Sequence, residues 1–477
     1  MTLGSLPIAD IQIPTKCRDE FPQFLRAMQH IYTTVELRDR VFGLLKTKIC
    51  TKKCTGRQGM DLWTIFVLAG ARLCLNTDYD DLHYRSNQDN LLRQMLGVQD
   101  GIVRGREFER QTIIDNVSLL DDATLRDINR IIVEAGHKIV KKKETEALHI
   151  KIDSFVVEAN VHYPTDYNLL YDSGRKCLDV LGHLIEHNSA YSIGWRKIDD
   201  WRCKLKNRML TLSRCSADKS KNRESRLKKS AEAYVDVAGQ LSDKLDKINP
   251  LGELSLTEMV IFVQLDYYRE MLGKHIDLVD RRLLRGEKIP QEEKIFSIFE
   301  PWVEWISKGK SHQLVELGKP ACIATDQWHF AVDWLVADHQ PDNKLLLIML
   351  DSIRKHYQVS GCSGDKGFYS KENVELIELF DMKAVIPKKG KLSLSDQQRE
   401  GEPAFMKFRR KHSAIESNIN ELEHRGLDRC PDKGMNGLQR YVGWAVIAYN
   451  LRRVGKLLLD QDRKADERHA VKRRQAA

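Results

Sequence analysis

Residues 147–164 read ALHIKIDSFVVEANVHYP, and this stretch decides how the rest of the chain is parsed. Leu148, Ile150 and Ile152 alternate with His149, Lys151 and Asp153. Period two is the signature of a strand with one buried face. Asp153 falls on the polar face, near the strand's end. Strand texture then stops, and residues from about 196 to 317 read as helical, basic at first and amphipathic through LTEMVIFVQLDYYREML and IFSIFEPWVEWI. It resumes at Pro320–Asp338 (PACIATDQWHFAVDWLVAD), which reads as a hairpin or two strands. LLLIMLDSIRKHY is predicted as a helix, and Tyr357–Phe368 as a short strand ending in a glycine-flanked turn. SKENVELIELF is predicted as a helix capped by Ser370, MKAVIP as a strand, and Glu402–Gly426 as one long helix. Strands alternating with helices around an interrupted sheet make this part α/β.

Upstream of the strand the chain is helical. DLWTIFVLAGARLCL (Asp61–Leu75) is apolar on most faces and is expected to be buried. Asn76, Thr77 and Asp78 supply turn and capping chemistry, and short helical pieces follow as far as LLRQMLGV. Helix, tight turn, helix is the shape of a DNA-reading module and equally of any small helical bundle. A further helix starts at Asp121/Asp122 and carries Leu125, Ile128, Ile132 and Ala135 at helical spacing.

Charge narrows the classes of partner. The 477 residues hold 77 Lys plus Arg against 68 Asp plus Glu, a net charge of +9. Residues 196–229 contain thirteen basic and four acidic side chains, so this one stretch equals the whole excess. Further basic clusters lie at His137–Lys143, at Lys407–His412 (KFRRKH) and in the tail AVKRRQAA. One such cluster is commonly a solvated helix face, but four together favour a polyphosphate partner. No apolar run approaches the ~18 residues of a membrane helix, and MTLGSLPIADIQIP lacks the pattern of a secretory signal. Ten cysteines are scattered, only Cys50 and Cys54 lying close together. They are expected to be reduced thiols of a cytoplasmic protein.

Three carboxylates occupy positions where α/β chemistry is usually placed: Asp153 on the first strand, Asp365 in the turn between Gly364 and Gly367, and Glu416 inside the long C-terminal helix. Carboxylates gathered at strand ends can hold Mg²⁺, a hard cation that prefers oxygen ligands. The text around all three resembles the DDE transposases of bacterial insertion sequences. IKIDSFVVEANVHYPTDYNLLYDSGR resembles the segment bearing the first Asp, GDKGFYSKEN that bearing the second, and FRRKHSAIESNINELEHRGLDRC the helix bearing the Glu. The resemblance covers residues 150–195 and 320–455 and implies an RNase H-like core, a mixed sheet flanked by helices, with Asp153, Asp365 and Glu416 as catalytic residues and metal ligands. It further implies a homodimer acting on terminal inverted repeats and target DNA in the bacterial nucleoid. The cofactor it implies is Mg²⁺, with Mn²⁺ able to substitute. Water activated between two ions would cleave the element ends, and the freed 3′-hydroxyl would attack the target in line.

The expected organisation is an all-α N-terminal domain for DNA binding or dimerisation (1–145), a catalytic domain (146–195 plus 318–455), a basic helical insertion (196–317) and a basic tail (456–477). Arg409, His412, Arg425, Lys204, Lys206 and Arg208 are the expected DNA contacts. A related branch of the family places Tyr, Arg, Glu and Lys at fixed intervals along the last helix. Here Arg409, His412, Glu416 and Glu423 stand at those places, so the Glu alone is retained. Asp326 competes with Asp365 as the second Asp; the flanking glycines, which let backbone approach closely, favour Asp365.

Other patterns carry less. His183, Glu186 and His187 form an H-x-x-E-H pattern that could grip Zn²⁺ in a peptidase, with Glu258 or Glu270 as a third ligand. Gly309-Lys310-Ser311 echoes a phosphate loop, but Glu304 stands where its first glycine is required. Trp195, Trp201, Trp302 and Trp305 could stack on unpaired bases, although such residues more often pack within the protein. A catalytically dead, DNA-binding descendant of a transposase is the remaining alternative.

Overall fold

The computed structural model describes residues 6–49, 59–98, 106–195, 197–307 and 315–476. Cys50, Cys54, Arg196 and Gly309-Lys310-Ser311 lie outside them. The chain divides into two compact units, residues 1–160 with 306–477 and residues 161–305. The first unit therefore joins the N-terminal helices to the sheet. The second begins at Val161, well ahead of the basic run at 196.

The first unit opens with seven helices: α1 (Phe21–Thr33), α2 (Val35–Ile49), α3 (Leu62–Cys74), α4 (Tyr79–Gln88), α5 (Asn90–Met95), α6 (Arg110–Val117) and α7 (Asp122–Ile139). Helix α3 is buried from Trp63 to Cys74, as its apolar faces require. Asp78 caps α4 by accepting the Asp81 N–H, and Asp121 caps α7 by accepting that of Thr124.

Strand β1 (Leu148–Ala159) runs through the middle of a mixed seven-stranded sheet. The others are β2 (Glu304–Ser307), β3 (Val315–Thr325), β4 (Ala331–Val336), β5 (Val359–Ser363), β6 (Lys383–Val385) and β7 (Arg429–Cys430). The order is β2-β3-β1-β5-β6, with β4 on β3 and β7 on β1. β1 pairs antiparallel with β3 over 151–158. On its other side it pairs parallel with β5 over 148–151 and with β7 over 158–159. Between those two short partners, residues 152–157 of β1 have no strand beside them on that edge. The alternating pattern led to an expectation of one buried face. In fact His149 and Lys151 are buried as well, at 8% and 4% exposure. Asp153 is mid-strand, six residues before its end.

In the second unit, α8 (Asp166–His187), α9 (Ile198–Ala217), α10 (Arg223–Leu245) and α11 (Leu256–Val279) close around Leu178, Leu181, Leu205, Tyr234, Leu241 and Leu272. Charged faces point to solvent. The segment IFSIFEPWVEWI, read as an amphipathic helix, is irregular up to Val303 and then enters β2. Pro301 lacks the N–H a helix would use, and the Ser297 hydroxyl accepts from the N–H groups of Phe299 and Glu300 instead.

The C-terminal part contains α12 (Asp342–Arg354), α13 (Lys371–Leu379), α14 (Leu394–Gly401), α15 (Pro403–His412), α16 (Ala414–Leu422) and α17 (Met435–Ala476). Ser370 caps α13 as expected. The single helix expected over 402–426 is divided at Ser413 and ends in a wider turn over 423–427. Gly426, at φ +98°, reverses the chain there, in a region closed to residues with a Cβ. The expected basic tail is the exposed end of α17.

The N-terminal helices are fastened to this C-terminal part. Arg72 of α3, 3% exposed, makes a two-pronged ion pair with Asp432 at 2.7 and 2.9 Å and stacks on Tyr79. Phe66 packs on Trp444, and Arg26 pairs with Asp462. Helices α1 and α17 cross so closely that a Cβ on Gly455 would overlap the Gln23 carbonyl. Gly455→Ala is therefore expected to destabilise the protein by about 2–4 kcal/mol, the scale of an overpacked backbone contact. Gly239→Ala on α10, where a Cβ meets nothing within 4 Å, is expected to add up to about 1 kcal/mol. Urea unfolding of the two variants beside the parent checks both signs.

Candidate active site

Strand register brings the first two carboxylates together. In the β1–β5 pairing Lys151 stands opposite Ser363, an offset of 212 residues. The same offset takes Asp153 to Asp365 (365 − 153 = 212), two residues past the end of β5. Parallel neighbours in register present their side chains to the same face. The Asp365 carboxylate accepts the Gly367 N–H at 2.6 Å, which fixes the turn.

Helices α15 and α16 cover that face, α15 against β5 and β6 and α16 against β1. Three rungs connect helix to sheet. The His149 ring stacks on Phe408 with centroids 4.0 Å apart. His412 Nδ1 lies 3.1 Å from Ser363 Oγ, one rung further on. Glu416 follows four residues later, near enough for its charge to act on Asp153. Ser413 keeps helical angles (φ −55°, ψ −19°), so the spacing carries across the break.

Electrostatics record the gathering. The Asp153 carboxyl is pushed up to about 6, first by burial and then by the negative charges of Asp365, Asp342 and Glu416. The Ser154 N–H, donating to Asp153 Oδ1 at 2.8 Å, opposes the rise. Asp153 is half-buried, while Asp365 and Glu416 are exposed. The ligand oxygens of the three do not all come within 4.8 Å of one another. The arrangement is an open cluster of acids rather than a tight cage. Asp342, at the start of α12, is a neighbour that sequence reasoning missed. It precedes the apolar run by which that helix was recognised, and nothing in its local sequence singles it out.

Asp326 is not part of this cluster's chemistry. It is fully buried at the β3–β4 turn. One of its oxygens accepts the N–H groups of Trp328 and Phe330, and the other lies 2.6 Å from His137 Nε2.

The expected DNA contacts divide into two groups. Lys204, Lys206 and Arg208 are exposed, as is Arg409, although Arg409 also pairs with Glu400 at 3.7 Å. His412 is instead tied to Ser363, and burial, assisted by Lys151, pushes its ring down to about 4, so it is neutral at pH 7. Arg425 is ion-paired with Glu20. Neither presents a free cation. The H-x-x-E-H residues His183, Glu186 and His187 are exposed at the end of α8, and their ligand atoms do not gather. Glu258 is occupied by Asn188 and by the Ser255 cap, and Glu270 by Lys274. Trp195 is buried in the core of its unit with Lys244 over the ring, and Trp302 donates to Glu300. These tryptophans serve packing.

Comparison with known families decides the class. Residues 276–451 match the family model described as the transposase DDE domain. Over that stretch the chain is similar to transposase DDE domains. The matched residues include Asp365 and Glu416; Asp153 lies upstream of them. No curated protein and no solved structure matches the chain. Among the described residues no helix is long and apolar enough to cross a membrane. The eight described cysteines form no disulfide.

His149 and His412 make the sheet–helix contact sensitive to acid. Burial holds both rings near 4, against 6.5 when unfolded. The unfolded chain thus binds more protons between those values. Stability is complete above about pH 6.5 and is lost as pH falls towards 4, by up to about 3 kcal/mol per histidine. His149 Nε2 has no hydrogen-bond partner within the protein, so His149→Phe forfeits no polar contact. This variant is expected to lose about 2–3 kcal/mol less than the parent between pH 7 and 4.5, measured by denaturant titration at each pH.

Proposed function

We propose that the chain is a DNA transposase with an RNase H-like core, in which Asp153, Asp365 and Glu416 hold divalent cations. The observation that carries the reading is the convergence of three acids from β1, the β5 turn and α16, two of them inside the matched stretch. The donor set fits the metal. It is all carboxylate oxygen, the preference of Mg²⁺. A cradle also exists: a Cβ on Gly367 would stand 3.0 Å from Asp365 Oδ1, so a side chain there would fill the space beside the carboxylate. Burial first, and then the charges of its acidic neighbours, raise Asp153, and a bound cation would offset both. When bound, Mg²⁺ or Mn²⁺ would polarise the scissile phosphate and activate the attacking oxygen, first of water and then of a 3′-hydroxyl.

The protein's own contribution is positioning. The Asp365 turn is held by the Gly367 N–H, and the Glu416 helix by the His412–Ser363 contact. Exposed Arg409 with Lys407 and Lys411 would meet phosphates near the cluster. The exposed Lys204, Lys206 and Arg208 would hold DNA on the α8–α11 unit, and the N-terminal helices would serve end binding or dimer contacts. Pairing two terminal repeats requires at least a dimer on DNA, and the bacterial nucleoid is the expected location.

The test is nicking of a supercoiled plasmid that carries the element's ends, in Mn²⁺ or Mg²⁺. Asp153→Asn, Asp365→Asn and Glu416→Gln are each expected to lower the rate at least ~100-fold, the scale of losing one preorganised charge-stabilising group, while end binding in gel shift persists. Wild-type binding without any nicking would instead identify a catalytically dead descendant. Cleavage indifferent to all three substitutions would refute the site.

A further inference from the structure

We propose that Asp342 is a fourth carboxylate of the same metal site and supplies an oxygen to the cation held by Asp365. The inference rests on the DDE reading above and extends it to a residue outside the expected triad.

A hydrogen bond from Ser154 and a close approach to Gly367 locate Asp342. Ser154 Oγ donates to Asp342 Oδ1 at 2.9 Å, while the Ser154 N–H donates to Asp153 Oδ1 at 2.8 Å. One residue of β1 thus ties both carboxylates, one through its hydroxyl and one through its backbone. On the far side, the Cβ position of Gly367 lies 3.0 Å from Asp342 Oδ2 and 3.0 Å from Asp365 Oδ1. Those two oxygens are therefore at most 6.0 Å apart (3.0 + 3.0), and a side chain at position 367 would crowd both. Mg²⁺ binds oxygen at about 2.1 Å, so a shared ion asks for oxygens roughly 4 Å apart or less. Rotation of an aspartate side chain spans the difference.

The placement has a structural cause. Pro341 ends the segment after β4, and α12 begins at Asp342, so the side chain projects from the first turn of a helix packed against β4 and the Asp365 turn. Asp365 Oδ1 is occupied by the Gly367 N–H. Asp342 Oδ2 faces the same space, and its Oδ1 is steadied by Ser154. A purely structural aspartate at a helix start needs neither the glycine opposite nor a second acid across it.

The experiment measures binding of Mn²⁺ alone to the full chain, by electron paramagnetic resonance of the free ion. Asp342→Asn keeps the shape and can still accept from Ser154. It is expected to weaken Mn²⁺ binding about tenfold or more, the scale of losing a supporting metal contact, with Asp342→Glu restoring most of it. Should the Asn variant fail to fold, Asp342→Ser, suited to a helix start, gives the same reading. Ser154→Ala removes a hydrogen bond to Asp342 rather than a ligand oxygen and is expected to weaken binding less than Asp342→Asn does, and Asp351→Asn on the exposed side of α12 is expected to leave it unchanged. If Asp342→Asn binds like the parent while Asp365→Asn does not, the fourth ligand is refuted and the DDE site stands. If Ser154→Ala weakens binding more than Asp342→Asn does, Ser154 rather than Asp342 carries the effect and the proposal fails. If Asp365→Asn itself leaves binding unchanged, the failure belongs to the underlying site.

Discussion

Two residues along a strand and four along a helix cover nearly the same distance, about 6.7 Å against 6.0 Å. The site depends on that near-equality. His149, Lys151 and Asp153 step along β1 at intervals of two, and Phe408, His412 and Glu416 step along α15 and α16 at intervals of four. The aromatic stack at one rung and the His412–Ser363 contact at the next set the phase, and Glu416 then arrives near enough for its charge to act on Asp153. A helix displaced by one residue would turn its carboxylate by ~100° and lose the cluster.

The same rungs explain two departures from the family pattern. Where a related branch carries a cationic arginine, this chain has His412, half-buried, neutral and hydrogen-bonded. It ties the helix to the sheet, while Lys407, Arg409 and Lys411 of α15 are exposed. The long interval between Asp153 and Asp365 is likewise unproblematic for the geometry. The α8–α11 unit leaves the first unit after residue 160 and the chain rejoins it at 306, while the β1–β5 pairing is set by local register.

A cost accompanies the arrangement. Asp153 is half-buried, and its carboxyl is raised first by that burial and then by the charges of Asp365, Asp342 and Glu416. Acids that repel one another are poor for stability and well suited to binding cations. Elsewhere buried charge is compensated: Arg72 by Asp432, Lys151 by the Asp326 carbonyl, and Asp326 by two N–H groups and His137. The acidic cluster is the exception, which is expected where function rather than stability selects the residues.

By itself the sequence determined the elements and the chemistry available to them. Period-two alternation found β1, capping residues found the starts of α4, α7 and α13, and the motifs around Asp153, Asp365 and Glu416 marked the three acids. It misread Ile295–Ile306 as a helix, because apolar spacing outweighed Pro301 and the hydrogen bonding of Ser297. It took β1 as one-sided, because polar His149 and Lys151 gave no sign of the helix and the carbonyl that cover them. Tertiary structure alone decided that Asp326 is spent on a turn, that His412 and Arg425 are engaged within the protein, and that Asp342 stands beside the triad. Local sequence records what a side chain can do. Which partner it meets depends on elements hundreds of residues away, and that information exists only once the sheet and its helices have packed.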